Sequence, residues 1–270
     1  MAGVGILYFS GTGNTWYIAD QYARAFGERG REVELLPVEK VARGDGAKAL
    51  EQYELLGIGY PVHAWNAPRL VAGLLQRLPR SRGQPVFLFV TAGFSTGGTF
   101  DWARDLLTRL GYVVLHEARY YVGRDLLLAA IGLRALPGEL LRRFGWLAID
   151  VREAAVEILA GTERHVYTGD LERVVLSSLL WRGYLTGCRR ARLFRVDTRC
   201  NQCGLCVSLC PTGNVRLEGS AVAFGVACTL CLRCLNVCPC GALQVAHVSQ
   251  SAPRYLAPGF QPALASRAEG

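Results

Sequence analysis

Short apolar runs alternate with amphipathic stretches through the first 165 residues of the chain. Runs at 4–9, 33–36, 55–60, 86–91 and 113–115 have strand length, while 15–28, 67–78 and 99–110 carry apolar positions at helical spacing. Strand and helix in alternation predict an α/β domain whose helices cover both faces of a parallel sheet. Helical spacing returns over 131–159 and 171–185, with Pro137 near a helix start and Gly161 near a stop. The next stretch, 188–199, carries Arg189, Arg190, Arg192, Arg195 and Arg199 and reads as an exposed linker. Composition then shifts: 200–240 holds nine cysteines, and its charged residues are Arg216, Glu218 and Arg233. The segment beyond 250 reads as loosely ordered. The expected partition is 1–165, a helical and basic connector 166–196, a cysteine-rich unit 197–247 and a tail 248–270.

With 270 residues, 51% of them hydrophobic, the chain can bury a sizeable core, which excludes global disorder. Mean hydropathy is +0.19, yet no apolar run of about eighteen residues is available to cross a bilayer. The opening residues lack a basic leader and read as a first strand, so a cytoplasmic location is expected. Ten cysteines in such a chain, crowded into one segment, point to metal rather than to a disulfide framework. The formal charge is +8, almost all of the cations being arginine. Those arginines are scattered and no zinc-finger or RNA-binding motif accompanies them, so no nucleic-acid partner is expected.

One internal repeat is visible. Cys200-Asn-Gln-Cys203-Gly-Leu-Cys206-Val-Ser-Leu-Cys210-Pro recurs as Cys228-Thr-Leu-Cys231-Leu-Arg-Cys234-Leu-Asn-Val-Cys238-Pro, and duplicated spacing implies two related sites. A Cys-x-x-Cys-x-x-Cys loop can wrap three corners of a cubane iron–sulfur cluster. In this type of run the fourth cysteine, followed by proline, ligates the other cluster. One expected set is therefore Cys200, Cys203, Cys206 and Cys238; the other is Cys228, Cys231, Cys234 and Cys210. Zinc is the competing occupant, although it normally takes four thiolates from two separated Cys-x-x-Cys knuckles. Cys188 and Cys240 fall outside the repeat and read as ordinary small residues. The spacing resembles the bacterial two-cluster ferredoxin module, which implies two [4Fe–4S] clusters, one-electron transfer and short β segments near 215–217 and 242–246.

At the other end, Ser10-Gly11-Thr12-Gly13-Asn14-Thr15 joins the first strand to the first helix, where an α/β sheet places its ligand crevice. Its glycines admit close backbone approach, its hydroxyl and amide side chains offer donors, and the helix N-terminus favours an anion. A simple helix cap is the alternative. A nucleotide P-loop would need Gly-Lys, which the chain lacks, and the dinucleotide fingerprint fails because Tyr8 stands where its last glycine should be. A mononucleotide remains. The loop resembles the FMN phosphate loop of flavodoxins, which implies an open five-stranded sheet in the order 2-1-3-4-5. By the same resemblance Pro61, Val62, His63, Ala64, Trp65 and Asn66, together with Thr91, Ala92, Gly93, Phe94 and Gly97, would grip the flavin ring. Trp65 and Phe94 are candidates for stacking or for interdomain packing, and His63 for a flavin donor or a satisfied polar group.

A flavodoxin-like half followed by a two-cluster ferredoxin half resembles the fused flavodoxin and ferredoxin proteins of anaerobic bacteria and archaea. The resemblance implies an iron–sulfur flavoprotein that carries electrons between a low-potential donor such as ferredoxin, two [4Fe–4S] clusters and FMN. Cofactor charges would lower +8 to roughly +2, leaving a slightly basic protein suited to an acidic redox partner, with Arg189 to Arg199 as a steering patch. Two other readings stay open. One is a ferredoxin-dependent flavin reductase acting on a small organic acceptor, with Asp101, Arg124 and Asp125 near the flavin. The other is a non-enzymatic redox sensor.

Overall fold

A computed structural model describes residues 3–42, 46–93, 95–122, 150–167, 182, 186, 194–245 and 254–262. Five parallel strands, β1 (Val4–Tyr8), β2 (Val33–Pro37), β3 (Leu55–Pro61), β4 (Pro85–Ala92) and β5 (Val113–Tyr121), lie in the order β2-β1-β3-β4-β5. Val4 stands opposite Val33 on one side and Leu55 on the other. This strand order is the flavodoxin-like doubly wound sheet that the resemblance of the glycine-rich loop implies, with its reversal of direction beside β1.

Strand periodicity sorts the core into two layers. Leu7, Leu56, Ile58, Val86, Leu88 and Val90 face α2 (Val38–Val41), α3 (Arg69–Leu75) and α4 (Thr99–Arg109). Val4, Ile6, Phe87, Phe89 and Tyr120 face α1 (Asn14–Gly27) and α5 (Val151–Leu159). Each fully buried side chain of this size stabilises the fold by about 1.5–3 kcal/mol. On the α1 face Tyr22 sits 5.1 Å from Phe87 and 5.2 Å from Phe89, between ring centroids, and its hydroxyl meets that of Tyr120 at 2.8 Å. Gly57 and Gly59 of β3 make room: the Phe87 and Phe89 rings occupy the space a β-carbon would need.

β5 runs six residues past the predicted end at 115, through His116, Glu117 and Arg119. Polar residues hid the strand because apolar alternation marks a strand only where partners are apolar. Here each of the two buried side chains has a partner: His116 Nε2 lies 2.9 Å from a Glu157 carboxylate oxygen, and one Glu117 carboxylate oxygen accepts from the Val166 N–H at 2.7 Å. Arg164 covers the outer edge of β5, exchanging backbone bonds with Leu115 and Glu117. Of the helical spacing expected over 131–159, α5 is seen; Asp150 caps it and Gly161, at φ 70°, follows its end. Pro137 and, apart from Arg182, the stretch 171–185 lie outside the described residues.

The cysteine-rich unit contains β6 (Phe194–Val196), α6 (Leu205–Ser208), the hairpin β7 (Val215–Glu218) and β8 (Ala221–Phe224), α7 (Arg233–Asn236), and β9 (Leu243–Val245), which pairs antiparallel with β6. Two expectations are corrected. The end of the stretch read as an exposed linker is strand β6, because Phe194 is buried and stacks on Phe224 at 4.8 Å. Part of the tail, residues 254–262, is tied down: Ala257 and Phe260 are buried, and the Ala257 N–H donates to the Thr12 carbonyl at 2.8 Å.

Candidate functional site

The two cysteine runs fold as one motif used twice. Residues 28 apart share unusual backbone conformations: Gln202 and Leu230 have φ 57° and 50°, Gly204 and Leu232 74° and 58°, and Gly213 and Gly241 both 61°. The left-handed region disfavours leucine by roughly 1–2 kcal/mol, so its use at Leu230 and Leu232 is imposed by the loop's job. Left-handed residues interleaved with right-handed ones turn successive N–H groups to one side, a nest suited to anionic sulfur. Leu230 N–H donates to Cys228 Sγ at 3.3 Å, and Asn214 N–H to Cys210 Sγ at 3.2 Å.

Packing of the two runs brings each fourth cysteine to the opposite triple. Cys200, Cys203, Cys206 and Cys238 line one cavity, together with Cys240. Burial, with Cys203, Cys238 and Cys200 as neighbours, pushes the Cys206 thiol up to about 11. Around the second set, burial raises Cys234 well above the usual thiol range, and Cys231, Cys210 and Cys228 add to it. Cys231 is also driven by burial to about 11, against the pull of the Arg233 cation and amide. Among the described residues no three His, Cys, Asp or Glu side chains close around a single metal ion. Four soft thiols spread around a cavity suit a cubane, whose irons sit at separate corners.

The glycine-rich loop stands at the head of α1. Gly13, at φ 101°, takes the N-cap position, no side chain caps the helix, and no acid occupies its first turn. The N–H groups of Gly11, Thr12, Asn14 and Thr15 donate to no acceptor among the described residues, while Gly13 N–H turns inward to Ser10 Oγ at 3.0 Å. Unpaired amides with an uncompensated helix dipole form an anion cradle. Thr15 is held by Thr91 across the sheet, hydroxyl to hydroxyl at 2.7 Å.

Three contacts seat the second cysteine loop on this cradle. A β-carbon on Gly11 would collide with the Cys231 carbonyl. His63 Nδ1 lies 3.2 Å from the Thr229 carbonyl, and burial lowers its pKa to about 4, so the neutral ring donates there. Arg233, buried in α7, donates to the Ser10 carbonyl at 2.7 Å, to Glu39 at 2.7 Å and to the Leu209 carbonyl at 3.3 Å. From the other side Tyr255 donates its hydroxyl to Asn14 Oδ1 at 2.8 Å, and Phe260 packs on Trp16 with ring centroids 5.6 Å apart. Sequence reasoning missed Arg233, Glu39, Tyr255 and Phe260. An arginine inside a thiol loop otherwise poor in charge was the available signal; nothing local announced the other three.

Around the expected flavin ring, residues 63–66 form a tight turn closed by reciprocal backbone bonds between His63 and Asn66 at 2.9 and 3.0 Å. Ala64 and Trp65 at its tip are left-handed, with φ 47° and 64°. Pro61 ends β3, and the Val62 N–H donates to the Thr91 carbonyl at 2.8 Å, locking the two loops together. Trp65 packs over Gly97, while the Ala92 carbonyl accepts from Val122 N–H at 3.0 Å. Gly93 follows β4 directly; Phe94, Arg124 and Asp125 lie outside the described residues. Asp101 is held by Arg104 at 2.7 Å. Of the basic stretch, Arg199 is engaged by Asp197 and the Gly241 carbonyl, Arg195 is exposed on β6, and Arg189, Arg190 and Arg192 are not among the described residues.

No protein-family model matches the chain, and no curated protein matches it. Solved structures do resemble it at low identity. The two-electron reduced flavodoxin of Megasphaera elsdenii is 22% identical over 57% of this chain and 98% of its own, with a TM-score of 0.41. General stress protein 14 of Treponema denticola, in complex with FMN, is 12% identical over 58% of this chain and 96% of its own, at 0.37. The rubredoxin oxygen:oxidoreductase of Desulfovibrio gigas is 19% identical over 58% of this chain, at 0.41, and this chain spans 36% of its length. Strand order and register, not these likenesses, assign the fold. No helix among the described residues is long and apolar enough to cross a membrane.

Proposed function

We propose that the chain is an iron–sulfur flavoprotein that carries electrons between an external low-potential carrier, such as an acidic ferredoxin, two [4Fe–4S] clusters and FMN. When bound, FMN supplies a centre that accepts one or two electrons and each cluster a one-electron centre, so the fusion joins single-electron to paired-electron traffic. This chain's residues do the holding. Cys200, Cys203, Cys206 and Cys238 would take one cluster and Cys210, Cys228, Cys231 and Cys234 the other. The amides of Gly11, Thr12, Asn14 and Thr15 would take the FMN phosphate.

The observation that carries this reading is the seating of the second cysteine loop on the anion cradle, Cys231 against Gly11 and Arg233 on Ser10. Electron hopping needs short separations, and this contact makes the second set the inner one. The first set opens outward, with Asn201, Gln202, Cys203 and Leu205 exposed, which supports this side as the one that would receive the external carrier.

Oxygen-free reconstitution with iron, sulfide and FMN tests the reading. About eight irons, eight labile sulfides and one flavin per chain are expected. Rapid mixing with reduced ferredoxin should then bleach the flavin in the intact protein and not in Cys206→Ala or Cys231→Ala. A colourless chain, or a flavin that stays oxidised beside reduced iron, overturns it.

A further inference from the structure

Cys240 has no counterpart in the first repeat. Twenty-eight residues earlier stands Thr212, and the two positions are structurally equivalent: Thr212 Oγ1 lies 3.7 Å from Cys210 Sγ, and Cys240 Sγ lies 3.7 Å from Cys238 Sγ. One fold position thus offers a hydroxyl beside the fourth cysteine of the first run and a thiol beside that of the second. A neutral hydroxyl is a poor ligand for iron in a sulfide cluster, whereas a thiolate is the normal one. Cys240 also lines the cavity ringed by Cys200, Cys203, Cys206 and Cys238, and the backbone N–H groups of Asn201 and Ala242 are directed at its sulfur. It therefore shares its surroundings with the four expected ligands rather than with solvent alone.

We propose that Cys240 is a reserve ligand of the first cluster site, able to take the iron corner assigned to Cys238, and that the second site has no such reserve. The inference rests on the cluster reading above. Cys238 is the resident ligand because it holds the fourth place of its run and precedes Pro239, as Cys210 precedes Pro211 in the other run. The exchange needs no oxidant or reductant. The iron–sulfur bond to Cys238 breaks as that to Cys240 forms, and the proton released by Cys240 ends on the departing sulfur. Rotation of side chains already 3.7 Å apart supplies the movement.

The two repeats provide an internal control. Full-length chains are reconstituted without oxygen using iron and sulfide, and iron, labile sulfide and low-temperature electron paramagnetic resonance of the reduced protein are recorded. Cys238→Ala should keep about eight irons, like the parent, with an altered resonance, whereas Cys210→Ala and Cys238→Ala/Cys240→Ala should each keep about four. Cys240→Ala should also hold about eight. Alkylation of the loaded proteins followed by peptide mass analysis should label Cys240 in the parent and not in Cys238→Ala. Adding Thr212→Cys to Cys210→Ala should restore the lost irons. The proposal is overturned if Cys238→Ala falls to about four irons while the parent holds eight, or if Cys240 stays open to alkylation in that variant. Cys238→Ser serves as a second variant against misfolding. A parent chain without labile sulfide would instead sink the cluster reading itself.

Discussion

Arg233 and Glu39 form an ion pair at 2.7 Å with side chains 2% and 4% exposed, bridging residues 194 apart in sequence. Both charges are out of water, so removing one partner leaves the other stranded. Glu39→Ala would leave a guanidinium satisfied only by the Ser10 and Leu209 carbonyls, with its Nε still without an acceptor. Breaking a buried pair in this way costs about 3–5 kcal/mol, which is roughly a hundred- to several-thousand-fold in the folding equilibrium. Replacing both partners by apolar residues of similar volume, Arg233→Met with Glu39→Leu, removes the desolvation cost along with the attraction and should recover most of the loss. The assay is urea unfolding of the full-length chain followed by tryptophan fluorescence, every variant carrying the same cofactor load. Hydrogen exchange over residues 228–236 reports whether the thiol loop lifts off first. A loss below about 1 kcal/mol for Glu39→Ala, or a double variant no more stable than the single, would refute the claim that this pair clamps the two halves.

Two buried groups give the stability opposite pH slopes. His63, held near 4 by burial against an ordinary 6.5, takes up its proton more readily when unfolded, so its contribution is lost as pH falls from about 6.5 towards 4. His63→Gln should flatten that limb of a urea-midpoint profile. Burial raises Glu117 to about 7 from 4.5, so its contribution drains away as pH rises through that interval, and Glu117→Gln should remove the decline. Gly59→Ala would drive a methyl into the Phe89 ring and should cost about 1–3 kcal/mol, read as a lower thermal midpoint. Gly13→Ala places a β-carbon 2.7 Å from Ala257 and from Phe260 at an N-cap with φ 101°. FMN affinity should fall at least about tenfold by fluorescence titration, with faster exchange at 254–262, and unchanged binding would remove the loop from the site. Arg195→Glu should slow electron delivery from an acidic carrier at low salt and not at high salt; equal rates in both would exclude steering by that face.

What the chain discloses by itself is what neighbouring residues enforce. Apolar runs of strand length separated by helical spacing require a parallel sheet between helices. A glycine- and hydroxyl-rich turn between β1 and the first helix points to an anion at the helix head, and the twice-used cysteine spacing points to two related sites. All of this is short-range chemistry: burial repeating at 2 or 3.6 residues, and conformations set within a few bonds. The structure alone decided what depends on closing long loops. Extension of β5 through His116 and Glu117 rests on partners in Glu157 and Val166, and the ordering of 254–262 rests on Thr12 and Asn14. Burial of Arg233 rests on Glu39 and on a carbonyl of the cradle. A charged or polar residue looks the same in sequence whether it meets water or a distant acceptor. Its energy is set by that partner, so its role becomes legible only once the chain has folded back on itself.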